Sequence, residues 1–346
     1  MAFPPLAQIS RTFAPGWFAA VMGTGVLALT TQVLSARCSL LAPVALALHW
    51  FNVGLFAVLA LPWLDRWWRH RDAALATLRH PVQASFYPTF SIALLVLAAQ
   101  WLEILHWRSP ALACWWLGAV LTYGFSFAVL FQVFRGDQVS LEHVTPAKFI
   151  PAVGLVVMPI AGGPLLAEMA GPARELVLTM NVLGLGAGSM MYVGLLGLTL
   201  YRNYLHRPAV GVLAPTVWIH LAPIGVIPVS LLNLLDPLPF PAAREVALVL
   251  MALVWGFGVW WLIMASLLTV AAWRAGELPF ALSWWGFTFP LGAFAGESLR
   301  LARLLEWGGP LLVGLFAWVL LWILWSLTLV RTLRAAASGA LFQPQP

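Results

Sequence analysis

Charged side chains are scarce in this sequence. Only 9% of its 346 residues are Asp, Glu, Lys or Arg, whereas soluble domains average roughly 25%. Lys148 is the single lysine, and 62% of the residues are hydrophobic. A soluble protein of this length needs a polar surface that this composition does not supply. The sequence therefore predicts an integral membrane protein, and its 20 tryptophans fit the enrichment of Trp at membrane–water interfaces.

Ligands for metals and cofactors are also scarce. Cys38 and Cys114 are the only cysteines, and neither has a second Cys or a His at metal-ligand spacing. A phosphate-binding glycine loop and a metal-binding helix motif are both missing. We therefore expect no metal site, no cofactor and no enzymatic activity. The net charge of +6 is spread over short loops rather than gathered in one patch, so nucleic acid is not an expected partner.

Ten apolar segments have the length that a membrane requires. A bilayer core of about 30 Å needs about 20 apolar residues per helix. Charged or Pro/Gly-rich breaks separate the candidates, which we number span 1 to span 10: Gly16–Val33, Leu40–Leu64, Val82–Trp101, Ala111–Phe134, Phe149–Ala167, Leu176–Leu200, Leu213–Leu235, Val246–Trp273, Leu282–Leu299 and Leu311–Val330.

The basic residues predict an orientation. With ten spans, twelve of the 18 Lys and Arg residues fall on one side of the membrane and six on the other. The positive-inside rule places the richer side in the cytoplasm. We therefore expect residues 1–346 to form one transmembrane domain with both termini cytoplasmic, inserted as a multi-pass protein in the bacterial inner (plasma) membrane.

Proline positions differ between odd and even spans. Spans 3, 5, 7 and 9 contain prolines within the apolar segment, whereas spans 4, 6, 8 and 10 have them only before it. Span 2 has Pro43 and Pro62, both near its ends. An interior proline removes a backbone hydrogen bond, and the freed carbonyl is tolerated only where protein or a water-filled cavity covers it. Span 1 has Gly23 and Gly25 in place of a proline. The pattern predicts an all-α fold of five helical hairpins around a central pore, with kinked odd spans inside.

Several motifs resemble one family of transporters. The run from Pro15 to Gly25, PGWFAAVMGTG, is similar to the first helix of the tellurite-resistance/C4-dicarboxylate transporter family. WWGFTFP, from Trp284 to Pro290, resembles the ninth helix of that family. Shorter similarities are His80-Pro81, TPAKFIP from Thr145 and APIG from Ala222. The family includes fungal malate permeases, fungal sulfite efflux pumps and plant slow-type anion channels.

The resemblance implies ten helices in five hairpins, a homotrimer and one pore in each subunit. It also implies a pore-obstructing phenylalanine on span 9, which corresponds to Phe289 here. An aromatic ring at a hydrophobic constriction closes a pore by blocking and dewetting it. Candidate pore-lining residues are Phe18, Gly23, Thr24, Gly25, Pro88, Pro159, Pro223, Thr288 and Pro290.

Ionisable residues within the spans are few. Glu297 and Arg300 are three residues apart near the outer end of span 9, and we expect them to form a local ion pair. Arg300 and Arg303 are candidates for attracting anions, and His220 is a candidate for sensing pH. The expected function is passive or facilitated permeation of C4-dicarboxylate, sulfite, nitrate or chloride. The alternative is proton-coupled export of dicarboxylate or sulfite on the same fold.

Overall fold

The computed structural model describes residues 5–80, 82–136, 145–206 and 210–342. These residues are mostly helical and include no β-strand. Twelve α-helices occur in the described ranges: α1 Leu6–Thr12, α2 Ala19–Ser35, α3 Leu41–Arg69, α4 Arg71–Arg79, α5 Pro88–Glu103, α6 Arg108–Arg135, α7 Ile150–Leu166, α8 Gly171–Leu205, α9 Leu221–Leu235, α10 Pro241–Arg274, α11 Thr288–Leu304 and α12 Gly308–Ala337.

Each predicted span corresponds to one long helix. Spans 1 to 10 are α2, α3, α5, α6, α7, α8, α9, α10, α11 and α12 in order, and the short helices α1 and α4 were not predicted. Nine helical segments of the described chain are long and apolar enough to cross a membrane. The segment that contains α11 is not among the nine, and it includes Glu297, Arg300 and Arg303. The protein is therefore an all-α membrane protein, and the count of ten spans stays a prediction.

Five helices form a closed ring. Contacts join α2 to α5, α5 to α7, α7 to α9, α9 to α11, and α11 back to α2. We call these the inner helices. Each packs against the outer helix that follows it in the chain, giving the hairpin pairs α2–α3, α5–α6, α7–α8, α9–α10 and α11–α12. The arrangement agrees with the predicted five hairpins.

Burial separates the inner helices from the outer ones. In the most apolar stretch of the segments containing α2, α5, α7 and α9, 72–89% of the residues are buried, against 28% in each of the five outer helices. The exposed residues of the outer helices are largely Leu, Val, Ile, Phe and Trp. An apolar surface of this extent fits contact with lipid, since hydrocarbon replaces water as the solvent there.

The inner helices begin differently from the prediction. Every inner α-helix follows a 3₁₀ segment, and the five segments contact one another in a ring: Pro15–Phe18, Gln83–Phe86, Pro146–Phe149, Gly211–His220 and Leu282–Phe287. Pro88, Pro223 and Pro290 lie in the first turn of their α-helices, where a proline suits the helix start and no kink is needed. Pro159, Pro164 and Pro228 do lie inside helices, as predicted.

The two described chain ends meet at one end of the bundle. The Thr12 hydroxyl donates to the Phe342 carbonyl at 3.2 Å, and the ring of Trp17 stacks on Phe342 with 5.8 Å between centroids. Both ends therefore lie on the same side of the membrane, the side of the 3₁₀ ring.

Cysteine labelling tests whether this side of the membrane, which holds both chain ends, is the cytoplasmic side. In a background with Cys38 and Cys114 replaced by serine, a cysteine at Gly136 should be protected from an impermeant thiol reagent in intact cells. A cysteine at Gly308 should react, because it lies at the opposite end of the bundle. Permeabilised cells provide the control, since both positions should label there. The reverse pattern in intact cells would overturn the cytoplasmic assignment of the termini.

Candidate functional site

Helix α11 is enclosed by its neighbours. One face meets α2, where an added Cβ at Gly23 would lie 2.0 Å from the Thr288 hydroxyl oxygen. A second face meets α10, where the Trp255 indole N–H donates to the Ser298 hydroxyl at 3.0 Å. Contacts with α9 and α12 complete the surroundings. Any accessible surface on this helix therefore faces the interior of the inner ring.

The accessible residues of α11 lie on a single stripe. Between Thr288 and Ala302, only Ala293, Gly296 and Arg300 are partly exposed, and every other residue is buried. Gly286, in the preceding 3₁₀ segment, is also partly exposed. Ala293, Gly296 and Arg300 recur every three or four residues, which places them along one face of α11. Phe289 falls on the same face, between Gly286 and Ala293.

Phe289 interrupts this stripe. Its side chain is 5% exposed, whereas the stripe is accessible on both sides of it. Helix α2 shows a similar closure, because Ala19 and Leu29 are partly exposed while residues 20–28 are all buried. In both segments, buried positions therefore separate accessible positions on either side.

Close packing of glycines holds the inner ring together. Added Cβ atoms would lie 2.2 Å from Val96 Cγ1 at Gly25 and 2.5 Å from the Ala293 carbonyl carbon at Gly225. Real Cβ atoms do not approach other atoms so closely, so neither position accepts a side chain without movement. Gly23 and Gly25, which were predicted to line the pore, therefore allow α2 to pack closely against α11 and α5, respectively.

Two other predicted pore residues face outer helices. The Phe18 ring packs against Phe90 at 4.8 Å, and against Phe56 and Trp63 of α3 at 5.8 Å each. The Thr24 hydroxyl donates to the Ala20 carbonyl at 2.8 Å and accepts from the Trp325 indole of α12 at 2.9 Å. Both residues are directed away from the α11 stripe.

The predicted prolines and Thr288 are buried. Pro290 lies about 100° around the helix from Phe289, so the two do not share a face. The Thr288 hydroxyl donates to the Trp285 carbonyl at 2.8 Å, which closes the turn where the 3₁₀ segment becomes α11. Pro88 and Pro223 also belong to helix starts, and Pro159 lies within α7.

A polar network occupies the open end of the stripe. The Arg300 guanidinium donates to the Asn233 side-chain oxygen and pairs with Asp236 at 3.3 Å. Asp236 also binds Arg244 at 3.0 Å, so two guanidinium groups share one carboxylate. Arg303 is exposed one turn further on. Three guanidinium groups and two carboxylates, those of Asp236 and Glu103, therefore act on one another at this end of α11.

The expected Glu297–Arg300 pair is wrong. Arg300 is directed to α9, whereas Glu297 is fully buried and lies off the stripe. Neither carboxyl oxygen of Glu297 has a hydrogen-bond partner among the described residues. A spacing of three residues brings Glu297 and Arg300 only roughly onto the same face of the helix. Asn233 and Asp236 bind the Arg300 guanidinium instead.

His220 is also fully buried. Its ring lies 4.1 Å from that of Trp261 and 4.5 Å from that of Phe149, measured between centroids. Neither imidazole nitrogen has a hydrogen-bond partner in the described part of the chain. His220 is therefore packed between aromatic rings, and its proposed role in sensing pH stays a prediction.

Asn233 and Asp236 were not predicted from the sequence as functional residues. Asn233 donates to the Ile160 carbonyl at 2.9 Å and thereby joins α9 to α7 as well as to Arg300. The sequence did indicate a role for Asn233, since it is a lone polar residue inside the apolar run LLNLL of span 7. Polar residues at such positions in membrane helices commonly bind a neighbouring helix.

Comparisons with known proteins agree with this architecture. Residues 12–333 match the voltage-dependent anion channel family. An uncharacterized transporter of Methanocaldococcus jannaschii is 39% identical over 97% of both chains. A sulfite efflux pump of Arthroderma benhamiae is 27% identical over 96% of this chain and 92% of its own length. The malic acid transport protein of Schizosaccharomyces pombe is 21% identical over 98% and 82%, respectively.

These matches confirm the resemblance that the motifs of spans 1 and 9 indicated, since the relatives include a sulfite pump and a malate transporter. They span nearly the whole chain and therefore all five hairpins. Two of these relatives, the sulfite efflux pump and the malic acid transport protein, are transporters of anions. The protein is a multi-pass membrane protein that belongs to the voltage-dependent anion channel family.

Proposed function

We propose that the protein lets small anions permeate passively through the interior of the inner ring, with Phe289 as the gate. The observation that carries the proposal is the α11 stripe, which is accessible on both sides of Phe289 and buried at Phe289 itself. A side chain that closes an otherwise accessible path in an apolar constriction is placed to block and dewet it.

Electrostatics favour anions over cations along this path. Arg300, Arg303 and Arg244 outnumber Asp236 and Glu103, the two carboxylates that act on Arg300 at the open end. At the other end, the five inner helices present their N-termini, which carry partial positive charge. Between the two ends, the α11 stripe consists of Phe289, Ala293 and Gly296 and has no fixed charge.

An apolar path predicts a selectivity order. An ion that enters it loses water without gaining a strong partner, so the cost of dehydration decides the order. Nitrate should pass more easily than chloride, and a fully charged dicarboxylate should pass poorly. Ion-replacement currents from the protein reconstituted in planar bilayers measure this order directly. A permeability for potassium equal to that for chloride would contradict the proposal.

Substitutions at Arg300 and Arg303 distinguish a path that binds the permeating anion weakly from one that binds it strongly. If the apolar path controls permeation, Gln at both positions should leave nitrate flux nearly unchanged. If the two guanidinium groups bind the permeating ion, often in a bidentate manner, malate uptake should saturate and should disappear in the double variant. We expect the first result, because Arg300 is already held by Asn233 and Asp236. Arg37→Gln, an exposed arginine elsewhere, is the matched control.

Proton-coupled export of sulfite or dicarboxylate is the second candidate. It is favoured by Glu297, since buried carboxyl groups in membrane helices are common members of proton relays. A pH gradient alone should then drive sulfite uphill into proteoliposomes, and Glu297→Gln should abolish that accumulation while passive flux continues. Sulfite that only equilibrates across the vesicle membrane would leave passive permeation as the mechanism.

We further propose a homotrimer in the plasma membrane, with a separate pore in each subunit. The support is the family resemblance together with the complete inner ring of a single chain. A ring closed by one chain does not need a partner to form its path. Native mass spectrometry of the purified protein tests the subunit number.

A further inference from the structure

A groove of about 390 Å³ lies where α12 ends, on the same side as the 3₁₀ ring. Its lining residues are Phe280, Arg331, Arg334, Ala335 and Ser338. The groove is shallow and open to the surroundings of the bundle. The inner ring does not use this groove, which lies on the outside of the bundle.

Two guanidinium groups give the groove its charge. Arg331 and Arg334 are three residues apart and therefore share one face of α12. Both are exposed, and in the described ranges neither forms an ion pair with a carboxylate. The planar donor pattern of a guanidinium group matches the oxygens of a phosphate group and can bind them in a bidentate manner.

An apolar surface leads into the groove. Leu327, Val330 and Leu333 of α12 are 42%, 44% and 59% exposed, and they continue the lipid-facing side of the helix to the level of the two arginines. A ligand that fills the groove and also covers this surface needs a phosphate group and a hydrocarbon chain. We propose that the groove binds the headgroup of an anionic phospholipid, with an acyl chain lying along α12.

The groove contacts the segment that starts the gate helix. Arg331 lies over the Trp284 ring, 4.7 Å from its centroid. The Trp285 indole N–H donates to the Thr332 hydroxyl at 3.1 Å. Both tryptophans belong to Leu282–Phe287, directly before α11. The bound lipid therefore fixes the position of this segment and with it the resting position of Phe289. This step, unlike the binding site itself, rests on the proposed gating function.

Lipid binding is measured first, by native mass spectrometry of delipidated protein titrated with phosphatidylglycerol or phosphatidylcholine. Each basic residue near an anionic membrane surface contributes about fivefold in affinity. Arg334→Gln should therefore weaken phosphatidylglycerol binding about fivefold, and the Arg331→Gln/Arg334→Gln double variant about 25-fold. Arg135→Gln is the matched control, because Arg135 also ends an outer helix and lies 5.3 Å from the Phe131 ring centroid.

Three results would overturn the binding site: equal affinity of the double variant and the native protein, an equal loss in Arg135→Gln, or displacement of the lipid by free glycerol phosphate. The coupling to the gate is measured separately, as nitrate flux in vesicles of increasing phosphatidylglycerol content. Flux should depend on that content in the native protein, and in Arg334→Gln the same change in flux should require about fivefold more phosphatidylglycerol. Binding that is lost without any change in this flux would overturn the coupling alone and leave the lipid site in place.

Discussion

Replacing Phe289 with alanine should raise nitrate flux about tenfold or more, which corresponds to removing at least about 1.4 kcal/mol from the barrier. The ring is the one buried group on a stripe that is accessible before and after it. Alanine removes its bulk and most of its apolar surface, and both effects favour water and ions in the constriction. Flux is measured as the collapse of a nitrate gradient in proteoliposomes of equal protein content.

Phe294→Ala is the matched control for this result. Phe294 lies on the same helix, but it packs against α10, where an added Cβ at Gly258 would be 2.3 Å from its ring. Its removal should lower the stability of the folded protein without opening the path. Unchanged flux in a folded Phe289→Ala protein, or an equal rise in both variants, would rule out Phe289 as the gate.

Gly225→Ala should clearly lower the stability of the folded protein. The added Cβ would lie 2.5 Å from the carbonyl carbon of Ala293 and 2.6 Å from the backbone nitrogen of Phe294. Backbone atoms of a packed helix cannot turn away as a side chain can, so α9 and α11 must separate. Overpacking of this kind typically costs about 1–3 kcal/mol. The melting temperature of the detergent-solubilised protein should fall, and nitrate flux should change, because Ala293 lies on the stripe.

Gly256→Ala provides the comparison, since an added Cβ on this residue of α10 would meet no atom within 4 Å. Its melting temperature should stay the same or rise slightly, because alanine is the better helix former. Equal melting temperatures for Gly225→Ala and the native protein would show that α9 and α11 tolerate a wider separation than their packing indicates.

The hairpin architecture could be predicted from the sequence for a physical reason. Lipid is a uniform solvent, so long apolar runs mark the spans, and prolines or glycines mark the helices that are covered by others. Spans such as Gly171–Leu205 extend beyond their predicted apolar limits, Leu176–Leu200, because a helix continues past the hydrocarbon as long as its backbone hydrogen bonds are satisfied. The short helices α1 and α4 are less apolar and gave no comparable signal.

The faces of the helices were harder to predict. An apolar helix that is buried on all sides has little amphipathic pattern, so the sequence does not reveal that Thr24 faces α12 or that Arg300 faces α9. The same limit explains the missed network of Asn233 and Asp236, which depends on how α9 and α11 are rotated. Phe289 was identified through the family motif, and its place on the stripe emerged only from packing.

All five inner helices run in the same direction, because an outer helix returns the chain after each of them. Many secondary carriers are built from two halves of opposite orientation, and they alternate between inward-open and outward-open states as the halves exchange conformations. A ring of five parallel helices has no half of opposite orientation with which to make such an exchange. Under the proposed gating by Phe289, opening requires only local movement within one ring, as in a gated conduit rather than a rocking carrier.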